Sequence, residues 1–140
     1  MADATTAADI PNVAVKFDAD KIRWDLLPWD ALEEIAILYT VGAFKYDDNN
    51  WLKGGFRFGR TLAAAMRHTM KWWLAKLRGE DGRDDDPKLV AICNQLGFKP
   101  PLHLTQATWN YLALITFTLR GLGIDDRPSL PVAPAAVNAG

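Results

Sequence analysis

The chain of 140 residues has a single cysteine, Cys93. That excludes an intrachain disulfide and a zinc site built on several thiolates, and it suits a reducing compartment. An excess of charge of one sign is also missing: 16 Lys and Arg against 17 Asp and Glu leave a formal net charge of −1. No global positive field draws in a polyanion, so nucleic acid is not an expected partner. Long apolar runs are absent too. The longest lies near residues 111–119, is interrupted by Thr116 and Thr118, and falls far short of the ~20 residues that cross a bilayer. No membrane partner is expected. The opening MADATTAADIPN has neither a basic start nor an apolar stretch and does not read as a signal peptide. The chain has no GxxxxGK[ST], no GxGxxG and no GxSxG. It also has no His-Asp dipeptide, which argues against the HD class of metal phosphohydrolases. Gly54-Gly55 is a weak phosphate-loop signal on its own.

What is present is a hydrophobic content of 49%, enough to build one core in a chain this long. Residues 1–12 read as a loose, flexible N-terminus, 13–124 as one domain, and 125–140, rich in Pro and Ala, as a tail that is disordered or lies on a neighbouring subunit. Residues 13–17 (VAVKF) suggest a short strand. A helix is predicted from Pro28, where a missing N–H costs nothing. Leu32, Ile35, Ala36, Tyr39 and Ala43 follow helical spacing, and Ile37, Leu38 and Val41 cover the other side, so this helix is expected to be buried on two faces. Residues 46–59 read as a loop. A second helix is predicted over 61–78, stopping at Gly79, with Leu62, Met66, Met70, Trp73 and Leu77 as its core stripe. Asp86-Pro87 opens a short helix ending at Gly97, Pro100-Pro101 marks a break, and a last helix runs over 102–122. The expected fold is all-α, a compact bundle of about four helices.

Several polar groups sit where chemistry can be built. Asp30 and Glu34 share a face with Ile37, Leu38 and Val41, which makes Glu34 the expected buried carboxylate; Glu33 falls beside Thr40 at an edge. Asp30 and Glu33 equally fit ordinary first-turn acids beside a helix dipole. Glu80, Asp81, Asp84, Asp85 and Asp86 form an acidic cluster. It suits a hard divalent cation, and it equally suits a solvated loop with Asp86 as an N-cap. Arg60, Arg67, Lys71 and Arg78 make a basic stripe with His68 beside it. Such a stripe can bind a triphosphate or simply face water. His103, Gln106 and Asn110 line up on the last helix as hydrogen-bonded core groups, or with His103 as a ligand or proton carrier.

Lys21-x-Arg23-x-Asp25-Leu26-Leu27-Pro28, Ala31-Leu32-x-Glu34-x-Ala36, Gly42-Ala43-x-Lys45-Tyr46 and Asn50-Trp51 fall at fixed spacing. Arg67-His68, Gly79-Glu80 and His103-Leu104-x-x-Ala107-x-x-Asn110 follow in the same order. Together, over about residues 21–115, this pattern resembles the small phage dATP/dGTP diphosphohydrolases, which are MazG-like. The resemblance implies an all-α, metal-dependent nucleotide pyrophosphohydrolase. Its substrate would be a purine deoxynucleoside triphosphate (dGTP or dATP), cleaved to the monophosphate and pyrophosphate. It also implies a homo-oligomer, dimer or tetramer, and a place in phage nucleotide metabolism in the cytoplasm of an infected host.

The site that follows from it uses Mg2+ or Mn2+ on Glu34, Glu33, Glu80 and Asp84. Lys45, Arg67, His68, Lys21 and Arg23 would meet phosphate charge or take part in catalysis. Tyr46, Trp51 and Trp24 would stack on the purine, and Asn50 and Asn110 would read its edge or the sugar. The chain departs from the pattern in four places. Ile37 stands where an E-E-x-x-E helix has its third Glu, and Arg83 stands where E-x-x-D has its Asp, with Asp84 one residue later. Gln106 replaces a second His, and residues 81–99 look like an insertion. Two rival readings stand beside this one: a nucleotide sensor that has lost catalysis, to which the broken E-E-x-x-E pattern points, and a helical interaction or nucleic-acid-binding module, which six tryptophans and the basic stripe allow.

Overall fold

The computed structural model describes residues 13–135; the expected loose stretch 1–12 lies outside them, as does the end of the tail. Among the described residues there are four α-helices: α1 (Trp29–Lys45), α2 (Phe58–Ala75), α3 (Pro87–Leu96) and α4 (His103–Arg120). Short 3-10 turns stand before α1, in the loop after it, and at the end of α2. The fold is the all-α bundle expected. Residues 13–17 form no strand; they have no partner strand to pair with, and an isolated extended segment gains nothing from its alternation.

Local chemistry sets the helix ends. Pro28 stands just ahead of α1, α2 unwinds through Lys76–Arg78 into Gly79 at φ 69°, and Gly97 closes α3 at φ 79°. Asp86 caps α3, its Oδ2 accepting the Leu89 N–H at 3.0 Å. The start of α2 is held from the far end of the chain. The Gly59 N–H donates to Asp126 Oδ1 at 2.8 Å, and the Phe58 N–H donates to the Ile124 carbonyl at 2.9 Å.

The core runs along α4, which packs against both α2 and α1, while α3 packs on α1. α2 presents Phe58, Thr61, Ala65 and Ala75 inward, and α4 answers with Ala107, Ala113 and Phe117. Small side chains at this contact let the two helix backbones approach closely. Phe117, 2% exposed, is stacked against Phe58 and also meets Phe56 and Trp51.

Two expectations about burial are corrected. The stripe Leu62, Met66, Met70, Trp73 and Leu77 lies on the outside of α2, at 42% to 86% exposure. The small-residue face took the core because it fits α4. α1 has one fully buried residue, Val41. Four helices provide no layer to cover its second face within one chain, and Glu34 is therefore not buried: its side chain is 41% exposed.

Candidate active site

One short pairing of extended segments prepares the site. The Asp84 N–H donates to the Pro101 carbonyl at 2.9 Å and the His103 N–H to the Gly82 carbonyl at 2.8 Å, so residues 82–84 run antiparallel to residues 101–103. Gly82 has φ 80°, and a Cβ there would lie 3.1 Å from Trp72 Cδ1. Glycine is thus required for the chain to pass under α2 and set Asp84 beside the start of α4.

Asp84 and His103 then meet His68, which α2 turns inward. His68 Nδ1 and His103 Nδ1 are 3.0 Å apart, and the rings are stacked with centroids 5.2 Å apart. Two imidazole nitrogens at that distance share one proton: one carries it and the other accepts. Asp84 Oδ2 is 3.9 Å from His103 Nδ1, and the Asp84 and His103 side chains are 12% and 8% exposed. Gln106 Nε2 donates to Asp84 Oδ2, and Asp84 Oδ1 accepts the Asp86 N–H at 2.9 Å. Among the described residues, His68, Asp84 and His103 form the one group of three or more His, Cys, Asp or Glu whose ligand atoms all lie within 4.8 Å of one another.

The electrostatics follow from this packing. Burial lowers the His68 pKa below the ordinary imidazole value, and His103, Lys71 and Arg67 lower it further against the pull of Asp84. His68 is therefore a neutral base near pH 7. For Asp84 burial acts upward, but the hydrogen bonds from Gln106 and the Asp86 N–H, with the two imidazoles, outweigh it and hold the carboxyl below its usual value. Asp84 is a carboxylate.

This cluster closes one end of a cleft of about 790 Å3. His68, Asp84, Asp86 and Gln106 line its polar end. Another part of its lining is aromatic. Tyr39, Trp51 and Trp109 form a triangle with centroids 5.8, 6.1 and 6.0 Å apart, and Trp51 rests on Phe117 at 5.9 Å. Partial burial raises the Tyr39 pKa, so this wall carries no charge. Lys45, Tyr46 and Asn50 stand at the rim, with Lys45 Nζ 5.0 Å from the centre of the Tyr46 ring. The aromatic side chains suit a planar group, and with Asp47, Asp48, Asp84 and Asp86 against Lys45 in its lining the cleft suits a cation, or an anion that brings one with it.

The structure distributes the other expected site residues more widely. Glu34 faces Arg83, its Oε2 3.8 Å from Nη1, while Arg83 Nη1 also donates to the Pro100 carbonyl at 2.7 Å. Glu34 thus stands next to the segment that carries Asp84. Glu33 and Glu80 are exposed and do not line the cleft. The helix does not continue past Gly79, so Glu80 and Asp84 do not share a helical face. Lys21, Arg23 and Trp24 are exposed ahead of α1, and Arg23 is engaged with Asp25 at 2.6 and 2.7 Å. Arg60, Arg67, Lys71 and Arg78 are exposed. Asn110 is buried, donates to the Gln106 carbonyl at 2.9 Å, and lines a smaller pocket of about 430 Å3 with Arg57 and Arg60.

Two cleft residues carry no role in the sequence reading. Tyr39 reads there only as a core residue, and Trp109 draws no comment. The signal for Trp109 was its place inside the block that begins at His103.

Fold and cleft define the class, an all-α protein with a cleft lined by aromatic and acidic side chains. The chain belongs to the dATP/dGTP diphosphohydrolase family: the model of that family's N-terminal domain matches residues 11–127. The family name is that of a hydrolase acting on nucleotide anhydrides. Searches for curated relatives and for solved structures returned no match.

Proposed function

We propose that the chain hydrolyses a purine deoxynucleoside triphosphate, dGTP or dATP, to the monophosphate and pyrophosphate. The observation that carries this reading is one cleft lined both by Tyr39, Trp51 and Trp109 and by His68, Asp84 and Gln106. The purine stacks on the aromatic wall, and the triphosphate extends toward the polar end. Water adds to the α-phosphorus, the bond to the bridging oxygen breaks, and pyrophosphate leaves. Lys45 at the rim meets the charge that gathers on the leaving group. His68, held neutral, offers a ring nitrogen to the attacking water or to an ion. Asn50 and Tyr46 are placed to meet the sugar or the base edge.

Mg2+ or Mn2+ is part of this reading, and it would supply charge neutralisation on the phosphates and an activated water. The four carboxylates expected to hold such an ion do not converge on one point. That fits an ion that arrives on the triphosphate and takes only one or two carboxylates from the protein. Asp84, which lines the cleft, is the one we assign; Glu34 faces Arg83 on the other side of that segment. Glu33 and Glu80 are left without a role.

We further place the protein in the MazG-like group, acting as a homo-oligomer in phage nucleotide metabolism within the host cytoplasm. Among the described residues no helix is long and apolar enough to cross a membrane. The test is a panel of the common dNTPs and NTPs with Mg2+ or Mn2+, the products resolved by ion-exchange chromatography. Monophosphate with equimolar pyrophosphate from a purine dNTP is expected. Stepwise release of phosphate refutes the reading. Tight dNTP binding with no turnover replaces it with a nucleotide sensor, to which Ile37 in place of a third Glu also points.

A further inference from the structure

We infer that His68, Asp84 and His103 form a resident centre for a first-row transition dication (Mn2+, Fe2+, Co2+ or Ni2+) and not for Mg2+. The chain has two histidines in 140 residues. They lie on different helices, 35 positions apart, and yet their Nδ1 atoms face each other at 3.0 Å beside a carboxylate. Two imidazoles and one carboxylate are the donor set that selects such ions over Mg2+, which prefers oxygen alone.

The spacing favours one geometry. With metal–nitrogen bonds of about 2.1 Å, a nitrogen separation of 3.0 Å subtends about 90°, the cis angle of an octahedral ion. A tetrahedral site would hold the nitrogens about 3.4 Å apart. Asp84 Oδ2, 3.9 Å from His103 Nδ1, needs to close by about 1 Å to complete one face of the octahedron. The proton between the two Nδ1 atoms is given up and that ring takes one at Nε2, a tautomer change that frees both Nδ1 lone pairs.

The surroundings match those of a metal centre. Gln106 and the Asp86 N–H fix the Asp84 carboxylate, as outer-sphere partners do. Arg83, tied to Pro100 and Glu34, anchors the same segment. His68, Asp84 and Gln106 line the cleft and His103 lies behind them, so the open coordination positions face the cleft. Any part this ion plays in nucleotide cleavage rests on the function proposed above; its binding does not.

The test uses the full chain stripped of metal by a chelator, titrated with Mn2+ or Mg2+ alone, without nucleotide. Calorimetry gives the affinity, and proton NMR follows the imidazole C–H signals of the two histidines. One Mn2+ per chain is expected, with the signals of both histidines broadening together. His68→Gln and Asp84→Asn, checked for folding by circular dichroism, should each weaken Mn2+ binding by at least about tenfold. Glu33→Gln and Glu80→Gln should not change it, and equimolar Mg2+ should not compete. Folded His68→Gln protein that binds Mn2+ as before overturns the inference, as does Mn2+ binding that depends on Glu80 with no broadening of the imidazole signals. Turnover of dNTP without imidazole broadening would sink this centre and leave the proposed function standing. Broadening without turnover would do the reverse.

Discussion

The outward stripe of α2 makes the sharpest prediction about assembly. Leu62, Met66, Met70, Trp73 and Leu77 follow helical spacing and are 42% to 86% exposed. Covering what is exposed of such side chains returns roughly 1–2 kcal/mol each, so on the order of 6 kcal/mol per chain and 12 for a two-fold pair. Association costs on the order of 4–15 kcal/mol in lost freedom. The stripe is therefore large enough to hold two copies together, but only if it stays whole. Met66→Lys breaks it near its middle with almost no change in helix propensity. It removes one covered thioether and forces an ammonium into the contact on both chains. At about 2 kcal/mol per chain the pair loses about 4 kcal/mol, close to a thousandfold in the dissociation constant. Sedimentation equilibrium at micromolar concentration should give an oligomer for the native chain and a monomer for the variant, with unchanged circular dichroism. A native chain that is monomeric at tens of micromolar refutes the reasoning, as does a Met66→Lys chain that stays assembled.

Three other substitutions test the fold and the cleft. Trp109→Leu removes one ring of the aromatic wall; if the purine stacks there, KM for dGTP should rise by roughly 5- to 150-fold, the equivalent of about 1–3 kcal/mol of stacking, with kcat changing less. Asp86→Ala deletes the cap on the Leu89 N–H and should lower stability by about 1 kcal/mol in urea unfolding. Gly123→Ala should cost more, because φ is 76° and the new Cβ would sit 3.0 Å from Phe58 Cε1 and 3.1 Å from the Phe56 carbonyl oxygen. A loss of about 2 kcal/mol or more is expected, read by the fluorescence of the tryptophans as the chain unfolds.

The helices were legible because their stops are local. Gly79, Asp86-Pro87, Gly97 and Pro100-Pro101 act through backbone conformation at their own positions, and the structure puts helix ends there. Which face of α2 turns inward was not legible. Periodicity marks an apolar stripe, and α2 has two: one of large residues and one of small. The choice depends on the partner. Ala65 and Ala75 fit against α4, whereas Leu62 and Trp73 would hold it off. Glu34 fails as a buried acid for the same reason, since its burial presumes a neighbour for the second face of α1 that one chain does not contain. His68 stands out on sequence only as half of an Arg-His pair. Its meeting with His103 depends on the α2–α4 contact, which no local pattern encodes.

The sequence around Arg83 gains a physical meaning from the pairing of residues 82–84 with residues 101–103. In an extended segment neighbouring side chains point to opposite sides. Arg83 turns toward Pro100 and Glu34, and Asp84 turns into the cleft. A carboxylate at position 83 would face away from His68 and His103, so placing it one residue later is what brings it to them. Gln106 belongs to the same arrangement. Where a second histidine would offer another ring nitrogen, its amide donates to Asp84 and settles the carboxylate against His103. Asp84 and Gln106 therefore act as one unit: a carboxylate turned into the cleft, and an amide placed to hold it there.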